Sequence, residues 1–268
     1  MSATVEHAGG KLLLNREDGV ARIILNAPEK LNAMSLAMWR ALGDVCLALA
    51  GDDSLRVVTI EGAGDRAFAV GADISEFGTT RNSAEAAANY NAAVSRAEEA
   101  IAALPVPTIA LIRGYCIGGG LEIAIRCDLR LARDDAQFAI TPAKLSLGYG
   151  YNGIAVLERR LGHATTADLL FSARKMKADE ALAKGICERV YPVDHFNDEA
   201  RAYVTTLASN APLSLRAIKA ALVDLAKPET ARDPSHARSL ALACFDSADY
   251  REGQAAFAEK RPPRFEGR

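Results

Sequence analysis

The chain has 268 residues, half of them apolar and a quarter charged, with a net charge of −2 at neutral pH. A chain of this size buries roughly three-quarters of its unfolded surface, so one large domain with an appendage is expected. No basic stretch interleaved with aromatics is present, which argues against a nucleic-acid binder, and no apolar run approaches the roughly 18 residues needed to cross a bilayer.

Cys46, Cys116, Cys127, Cys187 and Cys244 are scattered without C-x-x-C pairs, and His7, His163, His195 and His236 stand apart from one another. Neither a disulfide framework nor a metal site is therefore expected. The opening Met1-Ser2-Ala3-Thr4-Val5-Glu6-His7 has no basic region leading into an apolar core, so it does not read as a leader, and a cytoplasmic location is expected.

In chain order, strand-like runs at 11–16 and 19–26 come first, then a helical pattern over 35–50 with Ser35 placed to cap it. A third strand-like run covers 55–61. An Ala-rich helical pattern follows over 83–103, with Asn82 or Ser83 as its cap and Pro105 and Pro107 as its stop. Strand-like 107–113, a short helical 120–126 and strand-like 128–133 continue an alternation that indicates a β/α core. Beyond about residue 153 the pattern turns helical, over 194–209, 212–225 and 235–259, with few strand candidates.

The run Cys116-Ile117-Gly118-Gly119-Gly120-Leu121-Glu122 lies where a strand hands over to a helix. Glycine permits close backbone approach, and the first N–H groups of a helix lack partners and carry partial positive charge. Such a corner can hold a developing oxyanion, although a plain turn or a phosphate cradle uses the same residues. The contiguous glycines match neither G-x-x-x-x-G-K-[ST] nor G-x-G-x-x-G, which disfavours nucleotide triphosphates. A second loop of small residues, Gly71-Ala72-Asp73-Ile74, also follows a strand-like run.

Together, in this order, the G-A-D-I loop and the G-G-G-x-E turn resemble those of the crotonase (enoyl-CoA hydratase/isomerase) superfamily. The resemblance extends to Pro28-Glu29-Lys30-Leu31-Asn32-Ala33-Met34-Ser35, similar to an adenine-contacting loop, and to Phe257-Ala258-Glu259-Lys260-Arg261, similar to the family's closing motif. It implies an α/β fold, with a crotonase-like core of β-β-α units forming two near-perpendicular sheets over residues 1–200. Residues 201–268 would form a C-terminal α-helical trimerisation region, and the assembly would be a homotrimer or a dimer of trimers.

The resemblance further implies an enzyme acting on acyl-CoA thioesters, with coenzyme A arriving as part of the substrate and no prosthetic group. Ala72 and Gly119 would supply N–H donors to the thioester oxygen, and Glu122 would move protons at the neighbouring carbon. Coenzyme A would be held by Lys30, Leu31, Ala33 and Ile74, with Ala72 and Gly119 on its thioester, while Phe257 and Lys260 would reach toward the ligand of a neighbouring subunit. Two loops, 77–83 and 149–152, are expected to shape the acyl pocket, with Tyr149, Tyr151 and Asn152 as candidates to line it and Lys144 as a further basic group nearby.

One departure stands out. Family hydratases carry a second glutamate in F-x-x-P-E, whereas counting from Phe138 puts Pro142 at that position, and Ile140, Thr141, Ala143 and Lys144 restore no carboxylate. The expected activity is hydration of a 2-enoyl-CoA with one catalytic Glu. An isomerase, a decarboxylase, a carbon–carbon lyase or a catalytically impaired acyl-CoA binder are the alternatives.

Overall fold

The computed structural model describes residues 4–268. Residues 1–3, where the stretch read for a leader and the expected core region both begin, lie outside the described residues.

The chain opens with β1 (Thr4–His7), β2 (Leu12–Glu17) and β3 (Val20–Leu25), antiparallel neighbours. Asp18 and Gly19 turn the second hairpin with both φ angles positive, the two-residue geometry that matches strand twist. Helix α1 (Leu36–Ala50) starts where Ser35 Oγ accepts the Met38 N–H at 3.2 Å. Strands β4 (Val57–Gly62) and β5 (Ala67–Ala69) precede a short α2 (Phe77–Thr80) and the long α3 (Ala84–Ala102), capped by Ser83. Next come β6 (Thr108–Ile112), β7 (Tyr115–Ile117) and α4 (Gly119–Arg126), then β8 (Leu129–Arg133), β9 (Gln137–Ala139) and α5 (Tyr151–Ala167).

These segments form a repeat. The first strand of each unit, β4, β6 or β8, joins a seven-stranded sheet, and the second, β5, β7 or β9, joins a four-stranded sheet. A helical segment then returns the chain to the first sheet. The remaining elements are β10 (Met176–Lys177), α6 (Ala178–Ala183), β11 (Arg189–Tyr191), α7 (Phe196–Ser209), α8 (Pro212–Leu225), α9 (Ser235–Phe245) and α10 (Ala248–Glu259). The large sheet runs β1-β2-β3-β4-β6-β8-β11, parallel from β3 onward, and the small one runs β10-β9-β7-β5.

The pleat distributes the large sheet's side chains between two cores. Val58, Ile60, Ala110 and Ile112 pack with α1, α3 and α4, whereas Val57, Ile109, Leu111 and Leu131 face Phe196, Ala200 and Val204 of α7. The five sequence-read strands and three core helices are present to within two residues at either end. The helix expected over 235–259 is instead two: Asp246 ends α9, and Ser247 caps α10 by accepting the Tyr250 N–H at 3.0 Å.

Candidate active site

Two tight turns meet at the N-terminus of α4. Gly118, at φ +54, caps the helix and donates its N–H to Ala139 O at 2.8 Å, which ties the corner to β9. Gly71, at φ +93, offers its carbonyl to Met34 N–H at 2.7 Å, and Asp73 N–H donates to Met34 O at 3.0 Å. Ala72, between them, pairs with Met34 as a bridge without using its own N–H. A methyl group on Gly71 would lie 3.3 Å from Gly119 N, so the two backbones approach more closely than most side chains allow. Among the described residues, neither the Ala72 N–H nor the Gly119 N–H has a backbone acceptor.

Glu122 occupies the first turn of α4, and its carboxylate folds back toward that corner: a methyl on Gly119 would be 3.6 Å from Glu122 Oε2. The same methyl would be 3.0 Å from Trp39 Cζ2, so the buried indole forms one wall. Trp39 Nε1 donates to the Tyr90 hydroxyl at 2.9 Å, which fixes that wall's orientation. Glu122 is reached by water yet surrounded by protein, as befits a group lining a cleft. Burial pushes its carboxyl above the ordinary glutamate range, while Tyr149, Arg126 and Arg81 pull it back down.

Of the three aromatic-loop candidates, Tyr149 turns inward. Its hydroxyl is buried beside Glu122, close enough for each to alter the other's acidity, although the geometry falls short of a hydrogen bond. A methyl on Gly153 would come within 2.9 Å of the Tyr149 ring, so that glycine makes room for it. Tyr151 is 84% exposed, and Asn152 and Lys144 are exposed as well. Pro142 opens a single turn of 3-10 helix, Pro142–Leu145, and is half-buried.

Lys30 Nζ reaches Asp73 Oδ2 at 2.7 Å and Ser75 Oγ at 3.0 Å, joining the first loop to the G-A-D-I loop. Leu31 and Asn32 both take left-handed backbone, and buried Asn32 holds the loop by accepting from Ala27 N–H at 3.0 Å and donating to Ala67 O at 2.8 Å. Ala33 is buried, and Ile74 is 63% exposed beside the loop. Phe257, 87% exposed, lies near the end of α10, and Lys260 caps that helix with left-handed backbone. Both face outward from the single chain.

Sequence reasoning missed a buried carboxylate whose charge couples to that of Glu122. Glu98 of α3 pairs with Arg126 Nη2 at 2.6 Å, and burial, aided by the charge of Glu122 and opposed by Arg126, pushes its pKa up to about 7. A faint signal existed: Glu98 sits among Val94, Ala97, Ala100 and Ile101, the apolar stripe of an otherwise polar helix. An acid with a raised folded pKa stabilises fully below its unfolded value and loses that contribution as pH rises through about 7. The shift corresponds to ~3 kcal/mol. Wild type is therefore expected to lose up to that amount, relative to Glu98→Gln, between pH 4.5 and pH 8 in urea unfolding; parallel pH profiles would refute the assignment.

The family profile described as Enoyl-CoA hydratase/isomerase matches residues 15–268. The chain belongs to the enoyl-CoA hydratase/isomerase family, the crotonase superfamily. It is 34% identical over 254 residues to a protein named a probable enoyl-CoA hydratase in Mycobacterium bovis (strain ATCC BAA-935 / AF2122/97), covering 95% of this chain and 97% of that one. It is 33% identical over 261 residues to a carnitinyl-CoA dehydratase of Proteus mirabilis (strain HI4320), covering 96% and 98%. The crystal structure of an enoyl-CoA hydratase/carnithine racemase from Magnetospirillum magneticum superposes with a TM-score of 0.91 at 38% identity, covering 96% of each chain. The crotonase fold and a family built around acyl-CoA chemistry are thereby established for this chain. Among the described residues no helix is long and apolar enough to cross a membrane, and no cluster of His, Cys, Asp and Glu has metal-binding form.

Proposed function

We propose that this chain is a 2-enoyl-CoA hydratase working with one catalytic glutamate. In this proposal the N–H groups of Ala72 and Gly119 hold the thioester oxygen while Glu122 carries the proton. The observation that supports it most directly is the contact between the two turns, with the Glu122 carboxylate folded against the same corner. Unpaired main-chain donors beside a carboxylate of raised pKa suit enolate chemistry, because charge develops on the oxygen as a proton moves at the adjacent carbon.

In hydration, Glu122 takes a proton from water as the water oxygen bonds to the carbon farther from the thioester. The π electrons move onto the thioester oxygen, where the two N–H groups hold them. Glu122 then returns the proton to the carbon next to the carbonyl, and a 3-hydroxyacyl thioester results. One carboxyl group suffices for this balance, and with Pro142 at the usual second-glutamate position the chain carries no carboxylate there. That substitution also favours a second reading, double-bond migration, in which a single base moves one proton between two carbons of the same enolate.

Coenzyme A would lie along Lys30, Leu31, Ala33 and Ile74, with Lys30 exchanging Asp73 and Ser75 for a phosphate. Residues 201–268 would serve assembly into a homotrimer or a dimer of trimers: Ile218, Leu222, Leu225, Leu242 and Phe245 expose apolar side chains on α8 and α9. Phe257 and Lys260 would then meet a neighbouring subunit's ligand.

Product mass, read together with loss of the conjugated enoyl-thioester absorbance, decides the reaction: incubation with crotonyl-CoA should add one water, whereas loss of conjugation at unchanged mass supports the isomerase, and no consumption of any straight, branched or carboxylated thioester refutes both. The buried Tyr149 hydroxyl has no partner among the described residues and is placed to donate to a bound ligand, so Tyr149→Phe should lower kcat about tenfold, the scale of one such hydrogen bond of ~1.4 kcal/mol. Because the Tyr149 hydroxyl pulls Glu122 down, its removal should also move the acid limb of the pH–rate profile to higher pH. An unchanged profile would remove Tyr149 from the site.

A further inference from the structure

Arg81 lies between α2 and α3, in the loop expected to shape the acyl pocket, and its backbone N–H is fastened to Phe77 O at 3.1 Å. Its guanidinium carbon sits 4.2 Å from the centre of the Tyr90 ring and 4.8 Å from that of Phe77. Tyr90 bonds to Trp39, and Trp39 walls the Gly119 corner, so two side chains link Arg81 to the proposed thioester site.

This cation has no carboxylate. Among the described residues Arg81 forms no ion pair, and its Nε is buried without a hydrogen-bond partner. The nearby acid in the same segment, Glu76, already accepts Leu36 N–H at 3.0 Å. Ring faces recover part of the cost of holding a guanidinium away from water. They leave its Nε–H without an acceptor, and the planar fork of a guanidinium matches a carboxylate by two parallel hydrogen bonds. Aromatic stacking on both rings also holds the fork in place before a ligand arrives, which lowers the ordering cost of binding. Arg126, the other arginine whose charge reaches Glu122, is spent on Glu98.

We propose that Arg81 is the anion-recognising group of the acyl pocket, so that the preferred substrates are thioesters whose acyl chain ends in a second carboxylate. The proposal rests on the acyl-CoA function set out above. It also accounts for the loop's construction: a carboxylate brought near Glu122 meets like charge, and Arg81, whose field already reaches Glu122, offsets it.

Titration calorimetry with two saturated thioesters separates the outcomes. Glutaryl-CoA and butyryl-CoA share the coenzyme and differ only by the terminal carboxylate, and neither is consumed by hydration. Wild type is expected to bind glutaryl-CoA at least tenfold more tightly. Arg81→Gln should abolish that preference, and Arg81→Lys, which keeps charge without the planar fork, should retain part of it. Equal affinity of wild type for the two thioesters, or an unchanged preference in a folded variant, overturns the role of Arg81 while leaving the acyl-CoA function intact. Failure of wild type to bind either thioester overturns both.

Discussion

Glu122→Gln is expected to lower kcat for acyl-CoA turnover by about 10²–10⁴-fold, the usual contribution of one positioned acid or base. The amide preserves the shape that rests against Gly119, so the thioester should still bind with nearly wild-type affinity and the loss should fall on kcat rather than KM. With no carboxylate at position 142, no neighbouring group of the usual pair stands ready to substitute. Wild-type activity should also decline on the acid side at a higher pH than an ordinary glutamate would give. Burial raises the Glu122 pKa, and only the ionised form can accept a proton, so activity disappears as pH falls through that raised value. Equal turnover by wild type and variant across a thioester panel would end the assignment.

Gly120→Ala is expected to be the most damaging of the small substitutions in the G-G-G turn. The new methyl would sit 2.3 Å from Ala69 O and 2.9 Å from Ala69 C, and both atoms belong to the backbone of β5, so no side chain can yield. Helix propensity favours alanine by ~1 kcal/mol, but forcing a packed backbone apart costs about 3 kcal/mol or more. For a chain of this size the net loss should lower Tm by roughly 5 °C or more. Because Ala69 leads directly into Gly71 and Ala72, the displacement would also spread the two proposed donors, and a misplacement near 1 Å can cost about 10² in rate. Thermal unfolding and steady-state kinetics on the same preparation test both effects. A variant with wild-type Tm would show that the two segments pack less tightly than described.

The elements legible in the sequence share a local cause. Ser35 and Ser83 cap α1 and α3 as expected, Pro105 and Pro107 follow the end of α3, and the long apolar runs became β4 and β6. Strands β5, β7 and β9 escaped notice because three residues are too few to establish a period of two. They form most of the second sheet, so the β-β-α repeat could be named through resemblance but not read from periodicity. The break at Asp246 was missed because apolar residues continue on both sides of a single well-placed cap, Ser247.

At the candidate site, the sequence by itself determined the two glycine turns, the glutamate at the start of α4 and the loss of a carboxylate at position 142, since each depends on residue identity and short-range backbone geometry. Tertiary structure alone decided that Tyr149 turns inward while Tyr151 remains outside, that Glu98 lies buried against Arg126, and that Arg81 stacks on two rings with no counter-ion among the described residues. Those outcomes depend on which groups are desolvated together across segments far apart in the chain. Charge and burial act through space, and no local pattern records their sum.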